Sequence, residues 1–267
     1  MKISVKNLSF KYSGKKIFEN LNVDLEGSGR PIVILGRSGS GKTTLLKLLG
    51  GLLVPQEGEI RYSQEGEGAP SKAAPSEAAP SEAAQDEAAR GINAPEMAFM
   101  FQESRLLPWL TVLENVSLPL RKVFGREEGL QRARHFISLV SLGEKERAYP
   151  HELSGGEAQR VSMARAFAWP AHAIFMDEPF QSLDIPLKIL LMDNCLSLLE
   201  KEKRLLVAVT HDPREAIYLG GRIMVLGSGG FRYDKTLVLS KKERAYGSAG
   251  ELECEMLEAL EAGKPLI

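Results

Sequence analysis

Pro31-Ile-Val-Ile-Leu35 runs directly into Gly36-Arg-Ser-Gly-Ser-Gly-Lys-Thr-Thr44, and this junction decides the fold. The first five residues are apolar throughout, as in a strand covered by other elements on both faces. A glycine-rich turn follows, and after Thr44 an apolar stretch opens as a helix. Strand, glycine turn and helix in this order make a phosphate cradle. Glycines let backbone N–H groups wrap the oxygens, and the helix adds the positive end of its dipole. Gly36, Arg37, Ser38, Gly39, Ser40, Gly41, Lys42, Thr43 and Thr44 are therefore candidate ligand residues. Lys42 would supply a point charge to the outer phosphates, and the Thr43 hydroxyl can ligate Mg²⁺.

Three more short apolar segments read as buried parallel strands: Ala98–Phe101, Ala173–Met176 and Leu205–Val209. Together with Pro31–Leu35 they predict a mainly parallel α/β sheet, in which ligands gather at the carboxyl ends of strands. Those ends present Gln102, the pair Asp177-Glu178, and Thr210-His211-Asp212. Taken singly, the acidic pair reads as a solvated turn and His211 as a satisfied polar residue. Beside a phosphate loop they form a phosphoryl-transfer set. Asp177 would hold Mg²⁺, and Glu178 would polarise the attacking water as general base.

Around this core, Lys2 to Leu25 alternates apolar and polar residues, which predicts antiparallel strands. Residues 104–170 read as a mostly helical insertion and residues 250–263 as a further helix. The expected division is a nucleotide core over 1–103 and 171–240, a helical subdomain over 104–170 and a tail over 241–267. Residues 69–83 repeat APSKA, APSEA, APSEA, and AQDEA at 84–88 is a degenerate fourth copy. Such a composition buries too little to order itself, so a solvated insertion over 69–91 is expected, with a short helix possible over Ser81–Arg90. The 267 residues carry 34 basic and 35 acidic side chains, and this near-neutral balance gives no general argument for nucleic acid. Cys195 and Cys254 have no metal-ligand spacing. The opening MKISVKNLSF has no long apolar run, and no stretch approaches the length of a spanning helix. If a membrane is involved, another chain is expected to cross it.

Leu153-Ser-Gly-Gly-Glu157 precedes AQRVSMARAFAW, which has helical spacing. Ser154, Gly155, Gly156 and Glu157 form a second anion-binding corner, or an ordinary helix cap with glycines in its turn. The ordered set resembles the ATP-binding cassette (ABC) family. It comprises Tyr12 in FKYSGK, the loop 36–44, Gln102, LSGGE, IFMDEP at 174–179, Ser182-Leu183-Asp184 and His211. The resemblance implies a P-loop NTPase (RecA-like) core with an N-terminal antiparallel β-subdomain and an inserted helical subdomain. It implies ATP and Mg²⁺ as ligands, with Tyr12 stacked on adenine, Gln102 among the Mg²⁺ and catalytic residues, Asp184 in the D-loop and His211 as the switch histidine, both among the catalytic residues. It also implies a head-to-tail homodimer in which each ATP lies between one chain's phosphate loop and the other's LSGGE.

Gln102 to Val116, with LLPWLTVLENV, is similar to the nitrate, sulfonate and taurine importer branch. That resemblance implies transmembrane permease subunits, a substrate-binding protein reached through them, and a peripheral place on the cytoplasmic face of the inner membrane. No nucleic-acid partner is expected. Trp109 and Leu110 read equally as part of a permease groove or as core of the helical subdomain. Ala158, Phe180-Gln181-Ser182 and Gly220-Gly221 depart from the branch's usual residues, and none removes a catalytic group. An exporter with separate membrane chains, or a soluble cassette ATPase acting on nucleic acid, shares the nucleotide motifs. The span from Lys42 to Ser154 leaves no room for a long coiled coil, and the chain has no second phosphate loop.

Overall fold

The computed structural model describes residues 1–12, 14–63, 71–72, 97–227, 229–239, 244, 246–247 and 250–261. The sequence expectation of a helix over Ser81–Arg90 lies outside them. So does most of the repeat, although its Ser71–Lys72 form a short strand.

Strands β1 (Lys2–Tyr12), β2 (Lys15–Glu26), β4 (Glu57–Ser63) and β5 (Ser71–Lys72) make an antiparallel sheet in the order β2-β1-β4-β5. The second sheet contains β3 (Ile32–Leu35), β6 (Met97–Met100), β7 (Ala173–Asp177), β8 (Leu205–Thr210), β9 (Gly221–Gly227) and β10 (Gly230–Leu237). Its order is β10-β9-β3-β8-β7-β6, parallel except for the antiparallel edge hairpin of β9 and β10. Sequence reading anticipated four of these strands and did not anticipate β9 or β10.

Alternate residues of the parallel strands enter different cores, which is why these segments are apolar throughout. Ile34, Phe175 and Val207 face α1 (Lys42–Leu49) and the antiparallel sheet. Leu35, Met176 and Ala208 face α3 (Gly155–Ala168), α4 (Ile185–Glu202) and α5 (Pro213–Leu219). The same second core takes residues from α2 (Val112–Leu139) and α6 (Gly250–Glu261). Burying each large aliphatic side chain, such as Leu45 or Leu48, contributes about 1.5–3 kcal/mol. Gly125, at φ 75° and ψ −178°, kinks α2.

Register levels the carboxyl-end edge of the sheet. Leu35 pairs with Thr210, Asp177 with Val209, and Met100 with Met176. The residues that follow these strands therefore emerge side by side.

The β1–β4 pairing of the antiparallel sheet depends on one close approach at Gly58. Its φ is +84°, and a Cβ there would lie 2.4 Å from the carbonyl oxygens of both Lys6 and Asn7. Gly58→Ala should lower stability by about 2 kcal/mol or more, near 4 °C in Tm. Thermal unfolding of the purified chain checks this; an unchanged Tm would mean that the β1–β4 pairing is looser than described.

Candidate active site

The phosphate loop is shaped for an anion before any arrives. Helix α1 begins at Gly41, φ +98°, with no side-chain cap and no acidic residue in its first turn. A Cβ on Gly41 would press on Ile17 and Phe18 of β2 at 2.7 and 2.9 Å, so the antiparallel sheet sets this turn. Gly36 lies equally close to Ser40, whose Oγ would be 2.5 Å from an added Cβ. That Oγ is buried and has no hydrogen-bond partner among the described residues. An uncapped helix start beside an orphan hydroxyl suits phosphate oxygens, which would satisfy both. Lys42 Nζ donates to the loop's own carbonyls, Gly36 O at 2.7 Å and Arg37 O at 3.3 Å.

Two carboxylates close the opposite side. Thr43 Oγ1 donates to Asp177 Oδ2 across 2.7 Å, joining two of the residues expected from sequence to hold Mg²⁺, the other being Gln102. Burial raises the Asp177 pKa, the Thr43 hydroxyl opposes that shift, and the neighbouring Glu178 charge adds to it. Glu178 is 7% exposed, with Oε1 3.6 Å from Lys42 Nζ and Oε2 2.9 Å from His211 Nδ1. A carboxylate acceptor requires the proton on that ring nitrogen. Glu178 also has φ 50°, the left-handed region, which costs a non-glycine residue about 1–3 kcal/mol. Its N–H donates to Val209 O at 3.0 Å, and its carbonyl accepts from Gln159 Nε2 at 2.7 Å.

The remaining sequence candidates lie around this centre. Gln102 follows β6, is exposed, and its Nε2 is 3.4 Å from Gln181 Oε1. Asp184 caps α4 by accepting from Leu187 N at 3.0 Å. Tyr12 ends β1, exposed, in edge contact with Phe10. Arg37, Ser38 and Gly39 are exposed and Thr44 is partly buried. Ser154 caps α3 in a capping box with Glu157: Glu157 N donates to Ser154 Oγ, and Glu157 Oε2 accepts from Ser154 N. Glu157 also pairs with Lys145 at 2.6 Å, and these partners hold its pKa down to about 2. Gly155 has open space, whereas a Cβ on Gly156 would lie 3.1 Å from Ser182 O. The signature corner therefore leans on the segment after Glu178, and the contacts of Ser154 and Glu157 are with each other and Lys145 rather than with the phosphate loop.

A profile described as "ABC transporter" matches residues 18–181, a span holding the phosphate loop, Gln102, LSGGE and Asp177-Glu178. The chain belongs to the ABC transporter family. It is an ATP-binding subunit with the ATPase activity of that family. An uncharacterized ABC transporter ATP-binding protein of Methanocaldococcus jannaschii is 35% identical over 231 residues, 85% of this chain and 78% of that protein. An aliphatic sulfonates import ATP-binding protein of Paracoccus denitrificans is 32% identical, covering 91% of this chain and 86% of that one. Its counterpart in Bacillus cereus is 35% identical, covering 85% and 82%. Among solved structures, an ATP-binding cassette dimer in a post-hydrolysis state with ADP and Pi superposes with a TM-score of 0.72. It is 30% identical and covers 89% of this chain and all of that one. Among the described residues no helix of this ABC subunit is long and apolar enough to cross a membrane.

Four supporting residues escaped the sequence reading. Gln159 reaches the Glu178 carbonyl from α3; a glutamine on an otherwise buried helix face was its one visible signal. Arg165, on the same helix, donates to Ser104 O and Arg105 O at 3.0 and 3.1 Å and fixes the loop after Gln102. Lys188 and Glu215 form a buried pair at 2.6 Å, with Glu215 also accepting from Thr210 Oγ1 at 2.6 Å. Their separation of 27 residues left no local pattern to read.

The raised Asp177 pKa has a measurable consequence. Folding disfavours its ionised form, so the penalty exists above the ordinary 3.8 and vanishes as pH falls below it. Asp177→Asn keeps an acceptor for Thr43 and removes the charge. It should raise the Tm of the nucleotide-free chain at pH 7 by about 2 °C or more, a gain that fades toward pH 4. A lower Tm at neutral pH would contradict the assigned burial cost.

Proposed function

We propose that this chain is the ATP-hydrolysing subunit of a membrane importer, working as a head-to-tail homodimer, for nitrate-, sulfonate- or taurine-like anions or a vitamin precursor. One observation carries the catalytic part: the Glu178 carboxylate lies between Lys42 and His211, beside the Thr43–Asp177 pair. The phosphate loop binds the β- and γ-phosphates of ATP, with Lys42 exchanging its loop carbonyls for phosphate oxygens. Tyr12 stacks on adenine. Ser154, Gly155, Gly156 and Glu157 of the second chain complete the site.

Thr43, Asp177 and Gln102 would hold Mg²⁺, which neutralises charge on the phosphate oxygens. Glu178 accepts a proton from water as the water oxygen attacks the γ-phosphorus. The bond to the bridging oxygen breaks and ADP leaves with that electron pair. His211 orients the carboxylate through Nδ1. Asp184, seven residues after Asp177 and at the start of α4, sits where one chain's site meets its partner's.

The importing role is supported by the named sulfonate-import relatives and by Trp109. The side chain of Trp109 is 69% exposed, which favours the docking reading over the core reading. Its platform is rigid. Asn115 holds Leu107 N, Leu107 O and Leu110 O, and Thr111 with Glu114 caps α2. An ordered loop that presents a bare indole suits a partner helix. The peripheral site at the inner face of the membrane follows from that partner.

Two experiments test the two halves. Glu178→Gln should cut ATP turnover by about a hundredfold or more and accumulate an ATP-bound dimer on size exclusion; wild-type turnover would remove Glu178 from its role. Trp109→Ala should leave the free chain's ATPase within about twofold. In the assembled transporter it should lower substrate-dependent transport about tenfold. Unchanged transport would place the permease contact elsewhere.

A further inference from the structure

Where strand β8 ends, His211 carries a half-exposed imidazole, with 54% of its side chain accessible. Packing does not fix such a ring, so its distance from Glu178 is set by the backbone on either side. Both sides are pinned. Before it, Thr210 Oγ1 donates to Glu215 Oε2 at 2.6 Å and accepts from Asp212 N at 3.2 Å. After it, Asp212 caps α5, its Oδ1 accepting from Arg214 N at 2.9 Å and Arg214 Nε at 3.1 Å.

The second carboxylate oxygen of Asp212 is taken up from far along the chain. Tyr246 OH donates to Asp212 Oδ2 at 3.2 Å. Its ring lies 5.7 Å from the Arg214 guanidinium carbon and 5.9 Å from Lys188 Nζ, both within cation–π range, and 6.2 Å from the Tyr218 ring. Tyr246 therefore meets the residue after His211 through its hydroxyl, and through its ring it lies within cation–π range of the ammonium that pairs with Glu215. Beyond it, α6 is anchored: Met256 and Ala259 are buried in the main core, and Lys235 pairs with Glu255 at 2.9 Å. Tyr246 thus meets the loop from a separate part of the chain.

We infer that Tyr246 is a positioning residue for ATP hydrolysis, through which the C-terminal segment holds the His211 loop at the angle where its imidazole meets Glu178. The inference rests on the reading of His211 given above. It differs from a merely structural role for Tyr246 as a cover over the Lys188–Glu215 pair, because the hydroxyl that interacts with Lys188 also bonds Asp212, and only the Asp212 bond leads to kcat, whereas a lost cover shows in Tm.

Tyr246→Phe separates the two in the purified full chain. Its kcat for ATP should fall about threefold or more, the transmitted part of a hydrogen bond to a charged group. KM for ATP should stay within about twofold and Tm within about 2 °C. Asp212→Asn keeps the cap acceptor while weakening the tyrosine contact. The double variant should fall no further than the lower single variant, because both remove one interaction. Wild-type kcat in Tyr246→Phe, a loss that appears in KM or Tm instead, or an additive double variant would each overturn the inference. His211→Ala locates the failure. If it is inactive while Tyr246→Phe is normal, only the brace falls; if it turns over at the wild-type rate, the role of His211 falls and the brace with it.

Discussion

Glu178 occupies left-handed backbone at the end of β7, and the contacts that keep it there come from three separate parts of the chain. Val209 O on β8 and Gln159 on α3 hold its peptide groups, while Lys42 on α1 and His211 after β8 flank its carboxylate. A strained backbone persists only where its surroundings over-determine it. Here the surroundings are the sheet order and the two cores. Exchanging β8 with another strand would remove both Val209 and His211, and tilting α3 would remove Gln159. The parallel sheet is thus the device that brings one carboxylate, one ammonium and one imidazole to the same edge.

The legible part of this arrangement was the part written in contiguous residues. Pro31–Thr44 carried its strand, turn and helix in one stretch, and the uniform apolarity of Ala173–Met176 and Leu205–Val209 reflected burial on both faces. Gly221–Gly227 was missed as a strand because only Gly220 separates it from α5, and the Gly220-Gly221 pair, both at positive φ, reads as a break. Trp109 was ambiguous in sequence, because exposure depends on Asn115 and Arg165 tying down its loop from different helices. The LSGGE corner was legible as a motif and as a cap at once. Within one chain the cap is what its hydrogen bonds satisfy.

Helix α3 connects these features. It starts at the signature corner, passes Gln159 under the Glu178 carbonyl, and carries Arg165 to the loop after Gln102. Along one rigid rod, the corner that would face a second chain, the Glu178 backbone and the loop beneath Trp109 are joined. A shift of this helix would be felt at all three places, since packed elements move as bodies instead of deforming. Gly156 makes the join tight, with the Ser182 carbonyl already within 3.1 Å of where a side chain would begin.

The orphan Ser40 hydroxyl and the uncapped start of α1 also bear on how long the molecule lasts. Phosphate oxygens bonded to these groups would make the nucleotide part of the thermodynamics of the fold. A ligand present at a hundred times its Kd adds about 2.7 kcal/mol to the stability of what it binds. Such an increment changes the unfolded fraction by about a hundredfold. The supply of ATP that powers turnover would then also govern the exposure of the chain to proteolysis, and a starved cell would lose the engine along with its fuel.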